Sequence, residues 1–446
     1  EFTGDSVEVT VRPDRVITQE FLGFGAHGDY YLTHPRCQRR GVDVHDIEMI
    51  NRRIESMRPG IILIFFNYQW WEPEEGRQTP ESEEMKDLVY WIRFLQSIGT
   101  DVVITPWGDN FAYSEWMLPN VKGYPKREGG GPTGYLAPKM PLPEKREAMI
   151  RSFVDVIQYF RKDQGLTNVK YVSLMCEPDN DSLEGRGTDP TEYIELHKQL
   201  DRQLKERGMR DQIRILGPHA SGGPATSVCR WMKETLPQGQ GVFDVVTAHT
   251  YAHQDTRLLP YWVRNRVNFI RSVSGSQPAS PFMIAEFGYG GGTFENPENS
   301  KYEYGLFLAD FAVTAAREGA GAILMWCLMD TYYQAELSDQ EPKQMYGLWR
   351  FRDEGWRVRP GYFSWSLINR YTRKASSVVS VDCQPEAESL PAVAFISPEG
   401  EKTLMIVNRG SKSVSATVNT GVEKDKVFRL YEYSSDTIPT PQGRMI

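Results

Sequence analysis

Eight short runs of apolar residues, each nearly continuous and each followed by a stretch with helical spacing, limit what this chain can fold into. In chain order they are FLGFGAH (21–27), IILIFFN (61–67), DVVITPW (101–107), VKYVSLMCE (169–177), IRILGPH (213–219), FDVVTAHTY (243–251), FMIAEFG (282–288) and GAILMWCL (321–328). None alternates apolar with polar residues, which is the pattern of parallel strands buried on both faces. The stretches between them read as amphipathic helices. In VHDIEMINRRIESM (44–57), Ile47, Ile50, Ile54 and Met57 fall on one stripe. ESEEMKDLVYWIRFLQSIG (81–99) opens on an acidic turn and stops at a glycine. The stretches at 143–165 and 189–208 carry proline near the first turn and glycine at the stop. Weaker helical patterns cover 226–235, 257–272 and 301–318, and YFSWSLINRY (362–371) closes the series. Eight strands alternating with eight helices predict a (β/α)8 TIM barrel. The count, and the lack of a glycine-rich phosphate turn after the first strand, disfavour the rival doubly wound sheet.

From about residue 375 the texture changes to short alternating strands: SSVVSVDC, AVAFIS, KTLMIVNRG, SVSATVNT and KVFRLYEYS. These predict a small C-terminal antiparallel β-sandwich, with SVEVTV (6–11) a candidate extra strand. The expected division is a barrel over 14–372 and an accessory module built from 1–13 plus 373–446. Segment 108–142, after the third barrel strand, is long for a connection, and loops of that length on compact domains are usually functional.

The formal charge of -8 among 446 residues argues against a nucleic-acid backbone as partner, because that needs a concentrated basic face. No apolar stretch approaches the roughly 20 residues that span a bilayer. Five cysteines, at 37, 176, 229, 327 and 383, form no CxxC pair and share no metal-ligand spacing, so neither a metal nor a cofactor is expected. Acidic DNDSLEG (179–185) lacks EF-hand spacing and reads as a solvated turn. An aromatic-rich core accounts for many of the 11 tryptophans and 22 tyrosines, but not for the apparent loops NYQWWEP (67–73) and TPWGDNFAYSEW (105–116), where amphipathic rings suit a wet, concave surface.

In such a barrel the active site lies at the C-terminal ends of the strands. There the runs place His27, Asn67 with Trp70 and Trp71 beyond it, Trp107, Glu177, His219, His249 with Tyr251, Glu286 and Trp326. Two carboxylates on strands four and seven face each other across an eight-stranded barrel. Glycoside hydrolysis needs such a pair, one carboxyl to protonate the leaving oxygen and one to attack the anomeric carbon in retaining enzymes. Tryptophan faces match pyranose rings, and His249 and Tyr251 are placed to orient a carboxylate. His27 also fits a capped core histidine, and Trp70, Trp71 and Trp107 fit packing as well as sugar platforms.

Glu-Pro after strand four, AEFG at strand seven, His-x-Tyr at strand six and Trp326 at strand eight resemble glycoside hydrolase clan A, with a sandwich built from both termini as in families 30 and 39. The resemblance covers nearly the whole chain. It implies Glu177 as general acid/base, Glu286 as nucleophile and a retaining mechanism. In most of the clan an Asn precedes the acid/base and bonds the sugar 2-hydroxyl, whereas here it is Cys176, a weak donor. His219 and Asn180 are candidates for that contact. The expected protein is a monomeric enzyme, secreted, periplasmic or at the cell surface, cleaving a β-linked glycan, with endo action favoured by the long loop. Exo action and a non-catalytic carbohydrate-binding barrel are the alternatives.

Overall fold

The computed structural model describes residues 6–106, 112–118, 141–179, 188–223, 226–251, 255–276, 278–289, 297–332, 343–386, 388–421 and 428–436. The expected site residues Trp107 and Asn180 fall outside the described residues, as does most of segment 108–142. The first strand, β1 (Ser6–Phe21), belongs to a separate sheet. The next eight are β2 (Gly23–His27), β3 (Ile61–Phe66), β4 (Asp101–Pro106), β5 (Val169–Val172), β6 (Arg214–Ala220), β7 (Val245–Thr250), β8 (Phe282–Phe287) and β9 (Ala320–Met325). They close into a parallel barrel in sequence order, β9 returning to β2. Every residue of β3, β4, β7, β8 and β9 is buried, which is why these runs show no alternation. Each such Ile, Leu or Val contributes roughly 1.5–3 kcal/mol by leaving water, against the cost of ordering the chain.

Among the described residues eight helices wrap the barrel, one after each strand. They are α2 (Val44–Met57), α4 (Glu83–Ser97), α5 (Arg146–Gln158), α6 (Pro190–Glu206), α7 (Arg230–Thr235), α8 (Leu259–Ser274), α9 (Tyr302–Arg317) and α10 (Pro360–Tyr371). Two short helices, α1 (Pro35–Arg39) and α3 (Tyr68–Trp71), sit in the strand-to-helix connections. The caps explain the boundaries. Asp43 and Asp46 form a capping box at α2, Ser82 accepts from Met85 N at α4, and Asp189 accepts from Thr191 N and Glu192 N ahead of Pro190 at α6. At Gly25 the strands approach so closely that a Cβ would stand 1.6 Å from the Ile61 carbonyl oxygen, so only glycine fits.

The fourth barrel strand is shorter than its apolar run. β5 stops at Val172, and the Ser173 hydroxyl turns back to donate to the Met175 carbonyl at 3.1 Å. Leu174, Met175 and Cys176 are buried without ladder pairing, so their apolar character reflects burial alone. Glu177 is therefore reached by an irregular segment.

The second sheet has the order β12-β11-β10-β1-β13, with β10 (Ser376–Gln384), β11 (Ala392–Ile396), β12 (Lys402–Ile406) and β13 (Ser415–Asn419). Its pairs are antiparallel except β1 with β13, which run parallel. The N-terminal strand joins this sheet and continues to Phe21 rather than stopping near residue 13, because residues 12–21 follow β10 through irregular pairing. Arg12 and Arg15 there reach Asp382 at 2.6 and 3.2 Å. Phe395 of β11 packs its ring 5.1 Å from Phe21 and 5.7 Å from Phe24, joining sheet to barrel. Residues 428–434, read from sequence as a strand, form none, and Phe428 and Leu430 are exposed. The segment instead docks through rings, Tyr433 on Tyr302 at 5.1 Å and Tyr431 on Tyr371 at 4.2 Å. Among the described residues no helix is long and apolar enough to cross a membrane.

Candidate active site

The barrel gathers His27, Cys176, Glu177, His219, His249, Tyr251, Glu286 and Trp326 at one end. Neighbouring strands place His249 beside Glu286 in the β7–β8 register. Nδ1 of His249 stands 2.9 Å from Glu177 Oε1 and 3.5 Å from Glu286 Oε2. The donor atoms of Glu177, His249 and Glu286 all lie within 4.8 Å of one another. The Tyr251 hydroxyl donates to Glu286 Oε1 through a short contact.

His27 Nε2 is 3.0 Å from the Ala285 carbonyl and 3.3 Å from Glu286 Oε2. A carbonyl only accepts, so Nε2 carries the proton and donates toward both. Trp326 packs edge-on to His27 at 4.9 Å, and Phe65 lies 5.2 Å from the same imidazole. The Trp326 N–H donates to the Phe287 carbonyl at 2.8 Å, fixing the indole's backbone to β8.

Glu177 takes a left-handed backbone, φ 46°, and so does His219, φ 58°. Both conformations are costly outside glycine, and both are held by hydrogen bonds. The Glu177 N–H donates to the His219 carbonyl at 3.0 Å, and the His219 N–H donates to Thr247 Oγ1 at 2.9 Å. Gly222, φ 123°, lets the following loop close on His249, since a Cβ there would meet its carbonyl oxygen at 2.6 Å.

Burial dominates the electrostatics. It pushes the Glu286 carboxyl up to about 7; the neighbouring His249 acts against it, Glu177 adds to it, and the Tyr251 hydroxyl opposes it. Burial presses His27 down to about 3 and His219 well below the usual imidazole range, with the His249 charge pushing both the same way. His249 is also penalised by burial, yet Glu286 and Glu177 more than offset this and raise it. Of the three imidazoles, His249 alone is favoured in its charged form by the two carboxylates.

The remaining expected residues stand apart. Asn67, buried with Oδ1 unpartnered, and Trp70, edge-on to Tyr31 at 6.0 Å, have no hydrogen bond or ring contact to the carboxylates. Trp71 is buried against Tyr159 at 5.2 Å. Trp70 and Trp71 are 4% and 3% exposed, so in this conformation neither offers an open ring face. Sequence reading missed Thr247, which holds His219 and whose two-residue spacing from His249 put it on the same face of β7. It also missed Asp29, just beyond β2, which accepts from the Phe65 N–H at 2.9 Å and adds to the raised state of Glu286.

Residues 376–438 match the model of the glycosyl hydrolase family 30 beta sandwich domain. No curated protein sequence matches the chain significantly. Among solved structures the fold resembles the endo-beta1,6-glucanase BT3312, at TM-score 0.69 and 14% identity over 94% of this chain and 91% of that one. It also resembles SrfJ from Salmonella typhimurium, at 0.68 and 14% over 92% and 87%. A third is the catalytic domain of GH30 xylanase C from Talaromyces cellulolyticus, at 0.61 and 15% over 90% and 86%. At such identities the likeness is one of fold. The C-terminal residues thus match a glycosyl hydrolase family 30 sandwich, and the barrel that precedes them shares its fold with the glucanase and xylanase structures.

Proposed function

We propose that this chain is a retaining glycoside hydrolase that cleaves β-glycosidic bonds within a polysaccharide, with Glu286 as nucleophile and Glu177 as general acid/base. The observation that carries the reading is the carboxylate pair, whose nearest oxygens lie within 4.8 Å. Retaining enzymes hold their carboxyl groups roughly 5–5.5 Å apart, and inverting enzymes roughly 6.5–9.5 Å, to admit a water. The two environments divide the roles. Glu286 is the more enclosed, its side chain 11% exposed, and faces hydrogen-bond donors from Tyr251 and His27 that favour the carboxylate and fix its direction. Glu177 is more open, at 22%, and meets Nδ1 of His249 at 2.9 Å. In the first step Glu286 attacks the anomeric carbon while the Glu177 proton passes to the leaving oxygen. In the second, water attacks the glycosyl–enzyme ester and gives its proton to Glu177, releasing a sugar of unchanged configuration. Endo action is supported by the long segment after β4.

A panel of β-linked polysaccharides and aryl β-glycosides, with the first product's anomer followed by NMR, tests the reading. Retained product that disappears in Glu177→Gln and Glu286→Gln supports it. An inverted product removes Glu286 as nucleophile, and glycan binding without hydrolysis across the panel overturns the enzyme reading.

A further inference from the structure

Beside the carboxylate pair, Cys176, His219 and His249 form a second cluster, one donor atom from each lying within 4.8 Å of the other two. The three arrive from successive strand ends, after β5 and on β6 and β7, and all are buried, at 5%, 0% and 0% exposure. His249 commits Nδ1 to the Glu177 carboxylate, and its Nε2 has no hydrogen-bond partner. Neither ring nitrogen of His219 makes a well-formed hydrogen bond, although the Met175 carbonyl lies near enough to favour a proton on one of them. Buried polar atoms left this way are costly and call for a partner.

We propose that Cys176, His219 and His249 bind a thiophilic divalent cation of the Zn²⁺ class. A thiolate with two imidazoles is a soft-to-borderline set that suits zinc and disfavours calcium and magnesium. The surroundings match those of such sites, where a ligating imidazole gives its other N–H to a carboxylate or a carbonyl. Here His249 has Glu177 for this purpose. On binding, the ion displaces the Cys176 thiol proton to solvent, bonds the thiolate and one lone pair from each imidazole, and changes no oxidation state. Glu177, His249 and Glu286 also cluster, but their atoms are already paired with one another and with Tyr251. With Nε2 on the ion, His249 is a neutral ring whose Nδ1–H holds Glu177, and the Glu177 N–H on the His219 carbonyl belongs to the same knot. The ion thus ties three strand ends together and fixes one of the two carboxylates.

The test needs no substrate, so its outcome is independent of the hydrolase reading. The full chain, stripped with a chelator, is titrated with Zn²⁺, and metal is measured by elemental analysis after gel filtration. One ion per chain is expected. Cys176→Ser and His219→Ala, which remove ligands, should each weaken binding by more than the roughly 10- to 100-fold that loss of an outer-shell partner costs. Co²⁺ in place of zinc should give a thiolate-to-cobalt charge-transfer band that Cys176→Ser abolishes and Cys229→Ser, at a buried thiol elsewhere, leaves intact. Circular dichroism confirms that each variant is folded, and the Co²⁺ band in wild-type protein reads the site without any variant. No retained zinc and no band in wild-type protein, or a band that survives Cys176→Ser, overturns the proposal.

Discussion

His249 holds Glu177 through a 2.9 Å contact from Nδ1 to Oε1, while the same nitrogen stands 3.5 Å from Glu286. One imidazole therefore couples the two carboxylates but favours one of them. If Glu177 is the acid/base, Glu177→Gln should cut kcat on glycans by about 10²–10⁴-fold. The loss should shrink for aryl glycosides with acidic phenols, which leave without a proton. Glu286→Gln should abolish both classes of substrate. Equal loss on both classes in the two variants would remove the division of roles.

The Tyr251 hydroxyl opposes the upward shift that burial imposes on Glu286. A nucleophile works ionised, so kcat/KM should rise with pH through about 7, where Glu286 loses its proton. Tyr251→Phe removes the donor, so the ascending limb should move to higher pH, and kcat at neutral pH should fall about 10- to 100-fold. A pH–rate profile checks both. An unshifted limb would separate Tyr251 from the ionisation of Glu286.

The sequence exposed the barrel because two-sided burial leaves no choice but continuous apolar runs, and helix caps such as Asp43, Ser82 and Asp189 mark the turns between them. The carboxylate pair was legible for a related reason: strand ends are where a buried run first meets polar chemistry. Legibility failed where burial and pairing part company. Leu174 and Met175 are apolar because they are enclosed, not because they lie in a ladder. Phe428 and Leu430 alternate like a strand but pair with nothing that would make one. The Cys176–His219–His249 cluster has no sequence spacing to find, since its members come from three separate strand ends brought together only by closure of the barrel.

The same burial makes Glu286 a pH-dependent liability for stability. Its carboxyl binds a proton more tightly folded, near 7, than at the ordinary 4.5 it regains on unfolding. Between those values the folded state holds more protons, so stability falls as pH rises from about 4.5 to about 7 and stays reduced above. Glu286→Gln removes the charge. In chelator-treated protein its unfolding free energy should match wild type near pH 4 and exceed it at pH 8 by on the order of 3 kcal/mol. Denaturant midpoints at the two pH values provide the measurement, and parallel curves would show that Glu286 ionises freely in the fold.

Behind Trp326 the returning chain is held by a buried ion pair. Arg359 reaches Asp330 with both terminal nitrogens, at 2.7 and 2.8 Å, with side chains 4% and 0% exposed. Asp330 also accepts from the Gly347 N–H at 2.9 Å, and Arg359 donates to the Gly347 carbonyl at 2.6 Å. Leu328, between Trp326 and Asp330, donates its N–H to the His27 carbonyl at 2.8 Å, so the pair lies on the same segment as the site's indole. Removing one partner strands a buried charge. Asp330→Ala should therefore destabilise the protein by about 3–5 kcal/mol, and Asp330→Ala with Arg359→Met should recover much of that loss. Urea unfolding of the two single variants and the double variant closes the cycle. A double variant no more stable than Asp330→Ala would show that the cost lies in the lost Gly347 contacts rather than in the unpaired guanidinium.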